Sequence, residues 1–172
     1  MSNTVIQVIQ TAMAISAYLL IFRNYLQPWF KAREFGEAIL PLLILHIFRY
    51  LGLCLLVTGQ IDLAVPRDAL QWMAFGDLAA GGSALLAAIA VSARSKFATP
   101  LVVLFTIVGI GDLIMIAPTA KNAGVIDADI GTMWFFLVIF APALLLSHLY
   151  IAYRLLIHRG QMPISNSSVA SR

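Results

Sequence analysis

Residues 38–59 read "AILPLLILHIFRYLGLCLLVTG", a run of membrane-helix length and oiliness that carries His46 and Arg49 near its middle. A charge in hydrocarbon is expensive. On the insertion scale an arginine at the helix centre costs roughly 2.5–3.5 kcal/mol, and each Leu, Ile, Phe or Val returns about 0.3–0.6. Thirteen such residues lie between Glu37 and Thr58, so the segment inserts as a helix despite its arginine. The guanidinium must then turn inward, toward carboxylates, carbonyls or water, because lipid satisfies none of its donors.

Working outward, the same logic covers the whole chain. Of its 172 residues 61% are hydrophobic and 11% charged, whereas soluble domains carry about a quarter charged residues. The expected class is an all-α integral membrane protein. Five stretches reach the roughly 17–25 residues needed to cross a bilayer: Thr4–Phe22, Glu37–Thr58, Leu70–Ala93, Phe97–Ala117 and Thr132–Ile157. Residues 1–160 form one five-helix transmembrane domain, and 161–172 a polar tail without fixed structure. Short connections leave no room for a soluble domain. The net charge of +3 reflects loop cations, not a nucleic-acid surface. Cys54 is the single cysteine and forms no intrachain disulfide. The N-terminus lacks the basic segment of a cleaved signal peptide, so the first span is read as retained.

Orientation follows from the positive-inside bias. The first and third connections and the tail hold Arg23, Lys31, Arg33, Arg94, Lys96, Arg154, Arg159 and Arg172, against Arg67 and Lys121 on the other side. Eight to two places the N-terminus outside and the C-terminus in the cytoplasm. The expected setting is a bacterial cytoplasmic (inner) membrane.

The third span, with "GDLAAGGSALLAAIA" at 76–90, is rich in Gly and Ala. Gly76, Ala80 and Ala84 make a small-residue face that lets helices approach closely. This span is expected to be central, surrounded by the second, fourth and fifth.

Counting about 1.5 Å per residue from the outer helix ends puts Arg49, Asp77 and Asp112 at depths of roughly 13, 10 and 8 Å. An arginine side chain spans such differences, so three helices bring one cation and two carboxylates together, opening toward the outer side. The cluster then carries excess negative charge in a poorly solvated place. Either one aspartate holds a proton, a further cation joins, or water enters. Arg49 is the candidate anchor for an anionic or carbonyl group of a ligand, with Tyr50 beside it. Asp77 and Asp112 are candidates for binding the ligand and handling protons, and His46 for a catalytic relay deeper in the membrane. The bland reading is an ion pair that staples three helices.

His46 and His148 each lie about nine residues from the cytoplasmic end of their spans. Histidines at one depth on two helices suit the axial ligands of a b-type haem, or else two separately hydrogen-bonded rings, with Tyr50 or Ser147 as partner to one of them. His158 falls beyond the membrane. Pro142 interrupts the fifth span and frees the Val138 carbonyl, and Pro41 plays a weaker version of that part.

Absences narrow the chemistry. No lysine lies within a span, and HExxH, P-loop, CxxC and GxSxG motifs do not occur, which removes support for the corresponding enzymes. The expected function is binding, processing or passage of a small, partly apolar ligand or of protons. The alternatives are a haem protein and a structural or accessory subunit. A five-helix bundle is thin for a transporter, so a homo-oligomer or a partner membrane subunit is compatible with either.

Overall fold

The computed structural model describes residues 2–157. The tail 161–172, His158, Arg159 and Arg172 lie outside the described residues. Every regular element among the described residues is helical, and five helices are long and apolar enough to cross a membrane: α1 (Asn3–Lys31), α2 (Phe35–Leu56), α3 (Arg67–Ser92), α4 (Ala98–Asn122) and α5 (Met133–Ile157). The lower end of the bundle carries the turns before α2 and α4. The upper end carries the longer connections before α3 and α5.

Three helices outrun their sequence-based limits. Arg23 and Pro28 suggest that the first span stops at Phe22, yet α1 continues through a π-helical turn at Phe22–Leu26 into Gln27–Lys31. The Gln27 amide donates to the Phe22 carbonyl five residues back, and the wider turn absorbs a proline that lacks a donor. Likewise α4 passes through Pro118 to Asn122, and α3 starts at Arg67, a turn before Leu70. A second π-helical turn, Phe136–Phe140, precedes Pro142 in α5. The Tyr18 hydroxyl of α1 donates to the Ile139 carbonyl there at 2.9 Å, one residue from the expected Val138. Pro41 leaves its α-helical segment, Phe35–Ile47, continuous.

Helix ends explain the tight turns. After α4, Val125 N–H bonds to Ala120 O and Gly124 N–H to Lys121 O, with Gly124 at φ +71°. This is a Schellman closure around a left-handed glycine. The α3 terminus closes in the same way, through Ser95 to Ala90 and Arg94 to Val91, but with Arg94 at φ 48°.

The α3 helix buries the stripe Leu70, Met73, Ala74, Asp77, Ala80, Gly81, Ala84 and Ala87, the three-and-four spacing of one helical face. Its small residues let α2 and α4 close on it, as expected from Ala80 and Ala84. The fifth helix corrects the expected ring around α3: α5 packs mainly on α2, α4 and α1. The residues Asn3–Ile21 of α1 include none that is buried. Besides Tyr18, that segment is tied to α5 by the Trp134 indole N–H, which donates to Gln10 Oε1 at 2.7 Å.

Two apolar clusters divide the interior. The lower one gathers Ile39, Leu43, Ala84, Val102, Phe105 and Ile151. The upper one gathers Leu55, Ile61, Leu70, Met73, Ile130 and Met133. Polar side chains occupy the level between them.

Candidate functional site

The site begins with a change of winding. At Phe48 the α2 helix tightens into a nine-residue 3₁₀-helix, Phe48–Leu56, longer than the three or four residues such helices usually hold. Arg49 lies in its first turn, seven residues from the upper end. At about 2.0 Å per residue its level is about 14 Å below Leu56. Asp77 is ten residues inside Arg67 and Asp112 ten residues inside Asn122, each about 15 Å down at 1.5 Å per residue. Each lies nearer the upper end of its helix than the lower. The Arg49 backbone lies lowest, since Gly81, a turn below Asp77, faces Arg49 and Gly52, a turn above Arg49, faces Asp77. Arg49 is thus the deepest of the three and reaches up to both carboxylates in the upper half of the bundle, the order expected from the sequence.

At that level Arg49 has no solvent-exposed surface. Its Nε donates to Asp77 Oδ1 at 2.8 Å and its Nη2 to Asp112 Oδ2. One guanidinium thus joins three helices through charge-assisted bonds, the stronger class of hydrogen bond. Nη1 has no partner within the protein. Glycines make the space: a Cβ at Gly52 would fall 2.6 Å from the Asp77 Cβ, and one at Gly76 would overlap the Asp112 carboxylate.

The two carboxylates differ in access. The Asp77 side chain is 4% exposed and that of Asp112 is 11%. Asp112 forms part of a groove of about 400 Å³ between α3 and α4, walled by Trp72, Phe75, Ile107, Val108 and Met115, with Gly76 and Gly111. The groove opens sideways, at mid-helix. The upper apolar cluster lies above the polar level.

Below the triad stand His46 and His148, both buried. Their ring centroids are 4.6 Å apart, edge to face, and Phe105 packs on each at 4.9 and 4.6 Å. Equal depth has indeed brought them together. The rings touch directly, however, and the contact leaves no space for a porphyrin plane between them, so this arrangement does not fit a haem held by the pair. Ser147 Oγ lies 3.0 Å from His46 Nε2 and donates to the Leu144 carbonyl, while His148 Nε2 lies 3.4 Å from the Thr106 carbonyl. A Cβ at Gly109 would fall 2.9 Å from His148 Nε2, so this glycine seats the ring.

Of the other sequence candidates, Tyr50 is 47% exposed and turns outward beside Phe48. It stands apart from the triad, because the residue after an inward-facing one on a helix points elsewhere. Arg154, counted in the sequence only as a cytoplasmic-side charge, is 7% exposed. Its Nη1 donates to the Phe30 carbonyl and to the Tyr150 hydroxyl, both at 3.1 Å, and its Nη2 to the Arg33 carbonyl at 3.5 Å. It caps the end of α1 and the turn into α2. Its spacing from Tyr150, one helical turn, was the available signal.

No curated protein and no solved structure matches the chain. Over residues 6–156, a span that holds the triad, the histidine pair and Arg154, it matches, and so belongs to, the family described as Domain of unknown function (DUF8737).

Proposed function

We propose that the chain is an integral membrane protein whose Arg49–Asp77–Asp112 triad binds a small, partly apolar ligand that enters sideways from the bilayer. One observation carries this reading: a laterally open groove with apolar walls has the carboxylate of Asp112 at its edge and a buried cation behind it. Apolar walls with few polar groups are the usual make-up of a small-molecule site. The triad holds one positive and two negative charges, so its natural complement is a donor that brings positive charge. A protonated amine attached to an apolar body supplies both features. Asp112 receives the amine, Arg49 positions Asp112, and Asp77 fixes Arg49 through Nε. When the groove is empty of such a ligand, a proton on one of the carboxyl groups balances the charge, and the amine displaces it.

The charge bias of the connections supports an outside upper end and a cytoplasmic lower end, in a cell's inner membrane. The upper connections, with Asp62, Asp127 and Asp129, then face the outer side. With Cys54 replaced, cysteines at Ser2 and Ser171 should label from opposite sides, Ser2 from outside. Labelling of both from one side would refute the topology.

The ligand reading is tested with a dansylated long-chain primary amine, titrated into the protein in nanodiscs. One charge-assisted hydrogen bond contributes about 1.5–3 kcal/mol, so Asp112→Asn should weaken binding roughly 10–150-fold, and N-acetylation of the amine should do the same. Equal binding to wild type and Asp112→Asn would overturn the proposal.

A further inference from the structure

Three buried nitrogens on adjacent groups have no partner within the protein: Arg49 Nη1, His46 Nδ1 and His148 Nδ1. Their hydrogen-bonding roles follow from what holds the other ring atoms. The Thr106 carbonyl only accepts, so His148 Nε2 carries the proton and Nδ1 is a bare acceptor. The one hydrogen of Ser147 goes to the Leu144 carbonyl, so its oxygen accepts from His46 Nε2, and His46 Nδ1 is likewise a bare acceptor. Arg49 Nη1 can only donate. Two acceptors and one donor buried inside the protein are costly to leave unmade.

Placement allows a single group to serve them. Arg49 follows His46 by three residues, at the point where α2 tightens to three residues per turn. Side chains three residues apart lie on the same face of a helix. His148 lies beside His46, ring against ring. We infer that this level encloses one water molecule, which accepts from Arg49 Nη1 and donates to His46 Nδ1 and His148 Nδ1. Three hydrogen bonds are the usual complement of a buried water. The inference is independent of what occupies the groove.

Such a water would join the triad to the histidine pair in one network spanning α2, α3, α4 and α5. It would also end there. His148 terminates on the Thr106 carbonyl, His46 terminates through Ser147 on the Leu144 carbonyl, and the apolar layer of Leu43, Val102, Phe105 and Ile151 lies beneath. A carbonyl accepts a hydrogen bond and passes no proton on, so the network serves the groove side alone.

The test uses the full chain in nanodiscs with ¹⁵N-labelled histidine and His158→Gln, which leaves two ring systems to observe. Both should be neutral Nε2–H tautomers, with each Nδ1 shifted from the position of a free imine nitrogen and showing a cross-peak to water protons. Ser147→Ala should move the His46 Nε2 signal and leave both water cross-peaks in place. Bare Nδ1 shifts without a water cross-peak, an Nδ1–H tautomer, or loss of both cross-peaks in Ser147→Ala would each overturn the inference.

Discussion

Replacing Arg49 by alanine removes the one cation from a level that holds two carboxyl groups. The side chain is wholly buried and donates to both, so its loss leaves like charges close together and a void as large as its stem. Breaking a buried ion pair by deleting one partner costs about 3–5 kcal/mol. That is a large share of the roughly 5–15 kcal/mol that stabilises a folded chain. Asp77→Asn should be much milder, because the amide oxygen still accepts from Arg49 Nε and the cluster becomes neutral. In the double variant the asparagine no longer adds to an uncompensated negative charge, so the combined loss should fall short of the sum. The expected coupling lies in the range of about 0.5–3 kcal/mol found for residues in contact. Reversible unfolding by SDS in mixed micelles, followed through the three tryptophans, measures all four corners of the cycle. Strict additivity would show that these side chains do not interact, and the account of the triad would fail.

Three further outcomes follow from single contacts. A Cβ at Gly76 overlaps the Asp112 carboxylate whereas one at Gly82 meets nothing within 4 Å; Gly76→Ala should therefore destabilise by about 1–3 kcal/mol and weaken amine binding, with Gly82→Ala as a silent control. Arg94 sits at φ 48° in a position suited to glycine, and a left-handed non-glycine residue costs roughly 1–2 kcal/mol, so Arg94→Gly should raise stability by about 1 kcal/mol in the same unfolding assay. Arg154→Ala frees the carbonyls of Phe30 and Arg33, and amide hydrogen exchange should quicken across residues 32–36 while the triad's helices stay protected.

The five spans and the triad were legible because both rest on strong local signals. Twenty apolar residues have one inexpensive conformation in lipid, and a charge inside them needs a partner, for which Asp77 and Asp112 are the carboxylates within the other spans. Helix ends were less legible. Pro118 and Arg23 look like terminators, yet α4 stays α-helical through Pro118 and α1 passes Arg23 and Pro28 by way of a π-helical turn. The 3₁₀ winding of Phe48–Leu56 has no signature in composition, whereas the outward turn of Tyr50 follows from its place next to the inward-facing Arg49. Arg154 was hidden for a different reason: at a helix end a cation reads as a topology signal, and only the fold reveals that it faces the carbonyls of another helix. The sideways groove depends on which helices are neighbours, information that a single sequence does not carry.

Modification by N,N′-dicyclohexylcarbodiimide, an apolar reagent that attacks protonated carboxyl groups from the lipid phase, followed by peptide mass spectrometry, distinguishes a lateral site at Asp112 from a closed triad. Asp112 at the edge of the groove should be modified, Asp77 behind Arg49 should not, and the long-chain amine should protect Asp112. Equal modification of the two aspartates, or an Asp112 that stays unreactive while the protein is folded, would contradict a lateral site built on that carboxylate.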